Sequence, residues 1–320
     1  IDPKQRRLPA KKRKHYKIRC IRFPFYVMDR GANWIGTMPT ADLHTHSTAS
    51  DGELTPAALV EKARALGLST LALTDHDNTL GVAEARAAAR LVNLEFIPGI
   101  EIEIDFEPGE FHLLGYGIDE AAPPLVEAVE RLSHARLERN LAILDRIAKA
   151  NLPLDLDSIE AFSKTSYLGR PHLADLFVEA HCARTRQEAF DRYLGKGKPF
   201  YIKKACLALE EALSVIDAAG GVSVLAHPYS LFVSKDVLGT IFSQLKAKGV
   251  RGIEAYHPTA KYGQCVILER MAHERGMFVT AGSDFHGKMR PECGLGRTSG
   301  NKPIDIRFRD ELVAALESRI

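Results

Sequence analysis

Cysteine, tryptophan and long apolar runs are what this 320-residue sequence has least of. The five cysteines (Cys20, Cys182, Cys206, Cys265 and Cys293) are scattered, odd in number and never spaced C-x-x-C. That excludes a disulfide framework and a thiolate zinc site, and it fits a reducing compartment. No stretch approaches the ~20 apolar residues that a membrane helix needs. The apolar segment at 21–28 is too short and too interrupted for a secretory signal, so the expected compartment is the cytoplasm. Internal repeats and low-complexity tracts are also missing. With 45% hydrophobic and 26% charged residues, the composition excludes a disordered or collagen-like chain and is that of a globular protein. A chain of this length can build one large domain or two smaller ones, with a core that needs no metal to fold.

Charge is unevenly placed. Residues 1–37 hold 11 Lys and Arg against 2 Asp and Glu, whereas the remainder holds 32 basic and 39 acidic residues. The body of the protein is therefore mildly acidic. The basic arm, with KKRKHYK at its centre, carries no sustained period. It is read as disordered sequence upstream of a native start at Met38; a nucleic-acid-binding arm is the other reading.

From residue 38 the pattern alternates. Strands are expected over 41–45, 70–74, 94–104, 111–118, 222–226, 252–255 and 277–281. Helices are expected over 55–66, 79–91, 207–219, 237–248, 261–275 and 310–318, with Thr55 as an N-cap and Pro56 in the first helical position. This alternation implies an α/β protein with a mainly parallel sheet. Residues 123–198 break it: they read as wholly helical (125–150, 158–162, 172–180, 186–194), an insertion between two strands. The expected organisation is thus an arm at 1–37, a barrel from 38–122 and 199–320, and a helical insertion at 123–198 that caps the substrate.

Histidines and carboxylates cluster where strands end. His44 and His46 are two apart on one strand and so share a face. Asp51 lies in the turn Ser50-Asp51-Gly52. His76 ends the second strand in Thr74-Asp75-His76-Asp77. Glu101 and Glu103 share a face of the third strand, and His112 lies on the fourth. His227 stands in Ala226-His227-Pro228, and Asp284 and His286 in Ser283-Asp284-Phe285-His286. The strand ends of a parallel α/β barrel meet at one mouth, so these dispersed groups converge there. Imidazole and carboxylate without thiolate admit Zn²⁺, Mn²⁺ or Fe²⁺, and nine donors exceed the needs of one ion, which suggests two or three. Taken singly, each of these histidines is an ordinary strand-end residue; their joint occurrence carries the inference.

These motifs, in this order, resemble the PHP (polymerase and histidinol phosphatase) family of metal-dependent phosphoesterases, from about residue 39 to the C-terminus. The resemblance is to a subgroup with a helical insertion that includes 3′,5′-nucleoside bisphosphate phosphatases and a 5′-to-3′ exoribonuclease. It implies a distorted (β/α)7 barrel. It also implies that His44, His46, Glu101 and Asp284 hold a first metal, that Asp51, His76 and His286 hold a second, and that Glu101, His112 and His227 hold a third. Glu101 would bridge the first and third. Spacing alone leaves Glu101 and Glu103 open; the resemblance selects Glu101, with Glu103 beside it. Hydrolysis would use a hydroxide bridging two ions, with no protein nucleophile.

The insertion carries Arg136-Leu137-Glu138-Arg139, whose arginines share a helix face, and Gly169-Arg170-Pro171-His172. Arginine forks suit phosphate, and in the subgroup these elements meet the nucleotide, so Arg136, Arg139, Arg170 and His172 are expected substrate contacts, together with Asp51. A solvated helix face is the plain alternative for the two helix arginines. His257, after another strand, is read as a contact to substrate or to a residue behind the ligands, or as a loop cap. His134, His181 and His273 are expected to be structural. The expected function is hydrolysis of a nucleotide or short-oligonucleotide phosphate ester. The alternatives are a phosphatase of histidinol phosphate or another small metabolite, and a non-catalytic nucleic-acid-binding module. No obligate protein partner and no membrane contact are implied.

Overall fold

In the computed structural model, residues 39–150, 152–155 and 169–319 are described. The basic arm at 1–37, Met38 and the short helix expected at 158–162 lie outside them.

Seven strands form one sheet: β1 (Ala41–Asp42), β2 (Thr70–Leu73), β3 (Glu95–Ile104), β4 (Phe111–Tyr116), β5 (Val222–Leu225), β6 (Gly252–Tyr256) and β7 (Phe278–Ala281). They are hydrogen-bonded in sequence order. The ends then meet: Asp284 N–H donates to the His44 carbonyl at 2.9 Å, and His46 N–H to the Phe285 carbonyl at 3.0 Å. The sheet closes into a barrel through this seam. Strand β1 is shorter than expected because its continuation, 43–46, forms the seam instead of pairing regularly with β2.

One strand departs from the parallel pattern. β4 runs antiparallel to both β3 and β5. Its register sets Glu103 opposite His112. His112 therefore reaches the mouth from the beginning of its strand, whereas the other donors reach it from strand ends.

Helices α1 (Pro56–Ala65), α2 (Val82–Leu91), α5 (Leu209–Ala218), α6 (Lys235–Lys248), α7 (Tyr262–His273) and α8 (Arg307–Glu317) accompany the strands. Thr55 caps α1 as expected, its Oγ1 accepting from Ala58 N–H at 3.2 Å. Between β4 and β5 come the 27-residue α3 (Pro123–Lys149), which starts on the proline pair Pro123-Pro124, and α4 (Arg170–Glu179). The helix expected over 186–194 is two pieces, an α turn at Arg186–Ala189 running into a π turn at Phe190–Leu194.

Packing follows this division. One core fills the barrel and the side covered by α5, α6, α7 and α8, with Ile100, Leu113, Leu114, Phe242 and Ile253 fully enclosed. A second lies between α1, α2 and β2, around Leu59, Leu71 and Leu73. A third, around Ile143, Leu173, Phe177 and Phe200, joins the second half of α3 to α4. The first half of α3 packs through Leu125, Val129 and Leu132 on the barrel core. One helix thus belongs to both cores, and its middle turns, which carry Arg136 and Arg139, lie between them.

Candidate metal centre

His44 and His46 are fully buried and their Nε2 atoms face each other at 3.1 Å. His44 and His286 are each aimed by an acceptor beyond the ring. Glu254 of β6 accepts from His44 Nδ1 at 2.9 Å, which leaves His44 Nε2 as a lone-pair donor. The other Glu254 oxygen accepts from the backbone N–H of His227 at 2.8 Å. His286 Nδ1 lies 2.8 Å from the Asp284 carbonyl and donates to it, which turns the Nε2 lone pair toward Asp51. Loop 47–51, which carries Asp51, is held by Asp75: its carboxylate accepts from Ser47 N–H, Ser47 Oγ and Ser50 Oγ at 2.6–2.7 Å. Asp42 ties the opposite loop, accepting from Ser283 Oγ at 2.5 Å and Gly296 N–H at 2.7 Å.

Glu101 is the hub. One carboxylate oxygen lies 2.9 Å from His76 Nδ1 and 3.3 Å from Nε2 of both His44 and His46. The other lies 2.9 Å from His112 Nδ1 and 3.0 Å from His227 Nε2. All nine expected donors therefore converge on one place. Glu103 does not join them. It turns aside to pair with Lys204 at 2.6 Å, beside Asp77.

Three groups could each hold an ion, with donor atoms mutually within 4.8 Å: His46, Asp51, His76 and His286; His44, His46 and Asp284; and His76, Glu101 and His112. In this geometry His46 and His76 each belong to two groups. Several donors lack any other use. Asp51 Oδ1, Glu101 Oε2 and His286 Nε2 are buried without a hydrogen-bond partner. Buried polar atoms are normally satisfied, so atoms left bare and converging fit a cation.

The electrostatics agree. Burial works against ionisation of Asp51, Glu101 and Asp284, yet neighbouring imidazole and guanidinium groups hold all three well below the usual carboxylate range: those of His76 and His286 for Asp51, His76 and His44 for Glu101, Arg290 and His286 for Asp284. Burial likewise opposes charging His46 and His112, but the surrounding carboxylates push both up to about 9. At His76 burial prevails, and its pKa falls to about 4. A buried set of carboxylates of this density demands positive charge, from protons or from divalent ions.

The backbone is strained at the same place. Asp77, His227 and Asp284 adopt positive φ values of 51°, 25° and 53°. Such conformations are costly for residues other than glycine and persist where surrounding structure enforces them. Gly282 is required by close approach: a Cβ there would lie 2.1 Å from His44 Cβ and 2.7 Å from Glu254 Oε1.

The expected substrate residues are placed as follows. Arg136 and Arg139 are not on a solvated face; they are 8% and 5% exposed. Arg136 pairs with Asp77, which Lys204 also contacts. Arg139 donates to Asn140 Oδ1 at 2.8 Å. Burial, then the charges of Arg136 and Arg170, lower the Arg139 pKa to about 10, so the three guanidinium groups lie within electrostatic reach of one another. Arg170 sits 5.7 Å from the centre of the Tyr201 ring, and His172 Nδ1 accepts from Gly169 N–H at 3.0 Å. His257 is enclosed in the cluster. Its Nδ1 accepts from Thr259 N–H at 3.3 Å, so its Nε2–H donates to Asp284 Oδ2 at 3.2 Å. His134 and His273 pair with Glu138 and Glu311 outside the cluster, and His181 follows the end of α4.

Sequence reasoning missed Glu254, Asp77, Lys204 and Arg290. Glu254 left one usable sign, a carboxylate inside the otherwise apolar strand GIEAY.

Comparison with known proteins decides the family: residues 42–202 match the PHP domain. The chain belongs to the PHP domain family. Among its PHP relatives, the 5′-3′ exoribonuclease of Haemophilus influenzae is 35% identical over 245 residues, covering 77% of this chain and 89% of that protein. The 3′,5′-nucleoside bisphosphate phosphatase of Chromobacterium violaceum is 31% identical over 280 residues, covering 87% and 98%. A solved structure of an amidohydrolase from Chromobacterium violaceum with bound sulfate superposes with a TM-score of 0.75 at 31% identity, over 88% of this chain and 96% of that one. The distorted PHP barrel expected from the motifs is thus the fold observed. No helix among the described residues is long and apolar enough to cross a membrane.

Proposed function

We propose that this PHP protein is a metal-dependent phosphoesterase that hydrolyses a phosphate ester of a nucleotide, either a 3′,5′-nucleoside bisphosphate or the 5′ end of a short oligonucleotide. The observation that carries this reading is the convergence of eight imidazole and carboxylate donors, joined by His227 on Glu101, at a mouth flanked by guanidinium groups. The relatives named above act on such substrates.

His44, His46, Glu101 and Asp284 would hold a first divalent ion, Asp51, His76 and His286 a second, and Glu101, His112 and His227 a third, with Mn²⁺, Zn²⁺ or Fe²⁺ all compatible with the donors. When bound, such ions supply Lewis acidity that polarises a phosphate and makes a water acidic enough to attack near neutral pH. The chain's own groups set the stage. Glu254 holds the Nδ1 proton of His44, and the Asp284 carbonyl that of His286, so their Nε2 atoms stay free. Three nearby hydroxyls are committed elsewhere, Ser47 and Ser50 to Asp75 and Ser230 to the Glu110 carbonyl, so none of these three is poised as a nucleophile. Residues 123–198 would act as the substrate cap, with Arg139, Arg170 and His172 meeting the nucleotide.

The test compares adenosine 3′,5′-bisphosphate with a short 5′-phosphorylated RNA on Mn²⁺-loaded protein. Phosphate from the bisphosphate alone means a nucleotide phosphatase, and stepwise release of mononucleotides means an exonuclease. Release of nothing from either refutes the proposal. One observation favours a second reading, a small-metabolite phosphatase: Arg136 is already engaged by Asp77. An Arg136→Ala/Arg139→Ala protein with unchanged activity on a small phosphate would support that reading.

A further inference from the structure

We propose that Arg290 is a substrate-binding residue of this site, whose guanidinium receives a non-bridging oxygen of the phosphate. The inference rests on the phosphoesterase reading above.

Arg290 follows the 3₁₀ turn Gly287–Met289 just after His286. Its backbone is fixed, the N–H donating to Gly287 O at 3.2 Å and the carbonyl accepting from Cys293 N–H at 3.0 Å. Its side chain reaches back to Asp284, where Nη1 donates to Oδ2. The other oxygen of Asp284 faces His46 Nε2 at 3.2 Å and His44 Nε2 at 3.5 Å. The guanidinium is thus one carboxylate away from the donor cluster.

Two contrasts separate Arg290 from a purely structural ion pair. Asp284 is 2% exposed, whereas the Arg290 side chain is 42% exposed. A guanidinium carries five N–H donors in a planar fork. Asp284 is its only side-chain partner among the described residues, so most of the fork is available at the mouth. In addition, Asp284 does not depend on Arg290 for its orientation, because His257 Nε2–H donates to the same oxygen. Arg136 and Arg139, by comparison, are enclosed and hydrogen-bonded to Asp77 and Asn140. Unlike those two, Arg290 presents a partly exposed guanidinium beside the cluster. A phosphate approaching Asp51, Glu101 and Asp284 also needs cationic compensation, and a fork with two parallel donors supplies it.

The experiment uses inorganic phosphate as the probe, titrated calorimetrically into Mn²⁺-loaded wild-type, Arg290→Gln and Arg290→Lys proteins, with bound manganese measured on the same samples. Loss of a charged hydrogen-bond partner predicts about 10- to 100-fold weaker phosphate binding for Arg290→Gln. Manganese content should be unchanged, and the loss in kcat/KM should come mainly through KM. Arg290→Lys should recover part of the affinity, since it keeps the charge but not the fork. Wild-type phosphate affinity in Arg290→Gln overturns the inference, as does a fall in manganese content that accounts for the weaker binding. A wild-type protein that neither binds phosphate nor cleaves either nucleotide substrate overturns the phosphoesterase reading itself.

Discussion

Glu254→Gln is the most informative single change, because it exchanges one acceptor oxygen for a donor amide and changes almost no volume. Glu254 is completely buried, and each of its oxygens accepts one hydrogen bond, from His44 Nδ1 at 2.9 Å and His227 N–H at 2.8 Å. A glutamine offers one acceptor and one donor group in their place. If its carbonyl keeps His227, its amide faces His44 Nδ1. The His44 proton must then move to Nε2, the atom 3.1 Å from His46 Nε2 that would bind an ion. If the carbonyl keeps His44, the amide opposes the His227 N–H and pushes that loop away. Either outcome damages a ligand. Losing the partner of a metal-bound imidazole costs about 10- to 100-fold in metal affinity, or about 1.4–2.7 kcal/mol. Removal of a buried charge offsets part of the cost to folding, so the ion-free variant should keep its circular dichroism spectrum and unfold near the wild-type temperature. The assay is competition for Mn²⁺ or Zn²⁺ against a chelating dye, with turnover of a phosphate ester in parallel. A folded Glu254→Gln protein with wild-type metal affinity and turnover would refute the carboxylate–imidazole argument.

Three further outcomes follow from the same geometry. Gly282→Ala forces a Cβ to 2.1 Å from His44 Cβ, well inside contact distance, so overpacking of about 1–3 kcal/mol should lower Tm and reduce metal binding; an unshifted melting curve with full metal content would show that the seam can yield. Burial opposes ionisation of Glu103, but Lys204 outweighs it and takes its pKa from 4.5 to about 2. Its folded value is depressed, so its contribution to stability is present above about 4.5 and disappears as pH falls toward about 2. Urea unfolding of ion-free wild-type and Glu103→Gln proteins should therefore differ at pH 6, with a gap that narrows below about 4.5 and closes only toward about 2; a gap that widens on acidification contradicts this sign. Chelation followed by dialysis should abolish phosphate release and lower Tm, and Mn²⁺ at 100 times its Kd should restore about 2.7 kcal/mol of stability; turnover that survives complete metal removal would exclude the metal-dependent mechanism.

Much of the centre is legible in the chain because its donors sit at local punctuation points. H-x-H places two imidazoles on one strand face by period alone, and the structure brings His44 and His46 together in that way. Asp284 stands in a short loop just after β7, and Asp51 in the turn that follows the seam residues 43–46. Their apolar flanks mark the strands, so the approximate address of each donor could be read. Element ends were less legible. Strand β1 stops at Asp42 because the following residues are claimed by the seam with 284–285. The helix expected from residue 79 begins at Val82, after a turn without a side-chain cap. Arg136 and Arg139 show the limit of period-based reasoning: it places both on one face and does not reveal that the face is buried.

Residue type, spacing and strand–helix alternation, which are properties of neighbouring residues, determined an α/β chain with imidazoles and carboxylates at its strand ends. Closure of the barrel decided the rest. Glu254 meets His44 across 210 positions of sequence, and Arg136 meets Asp77 across 59. The reversal of β4 brings His112 to the mouth from the start of its strand. These pairings depend on which strands become neighbours and in which direction they run. A residue's own flanks report the face it occupies; the partner on that face is set by the closed sheet.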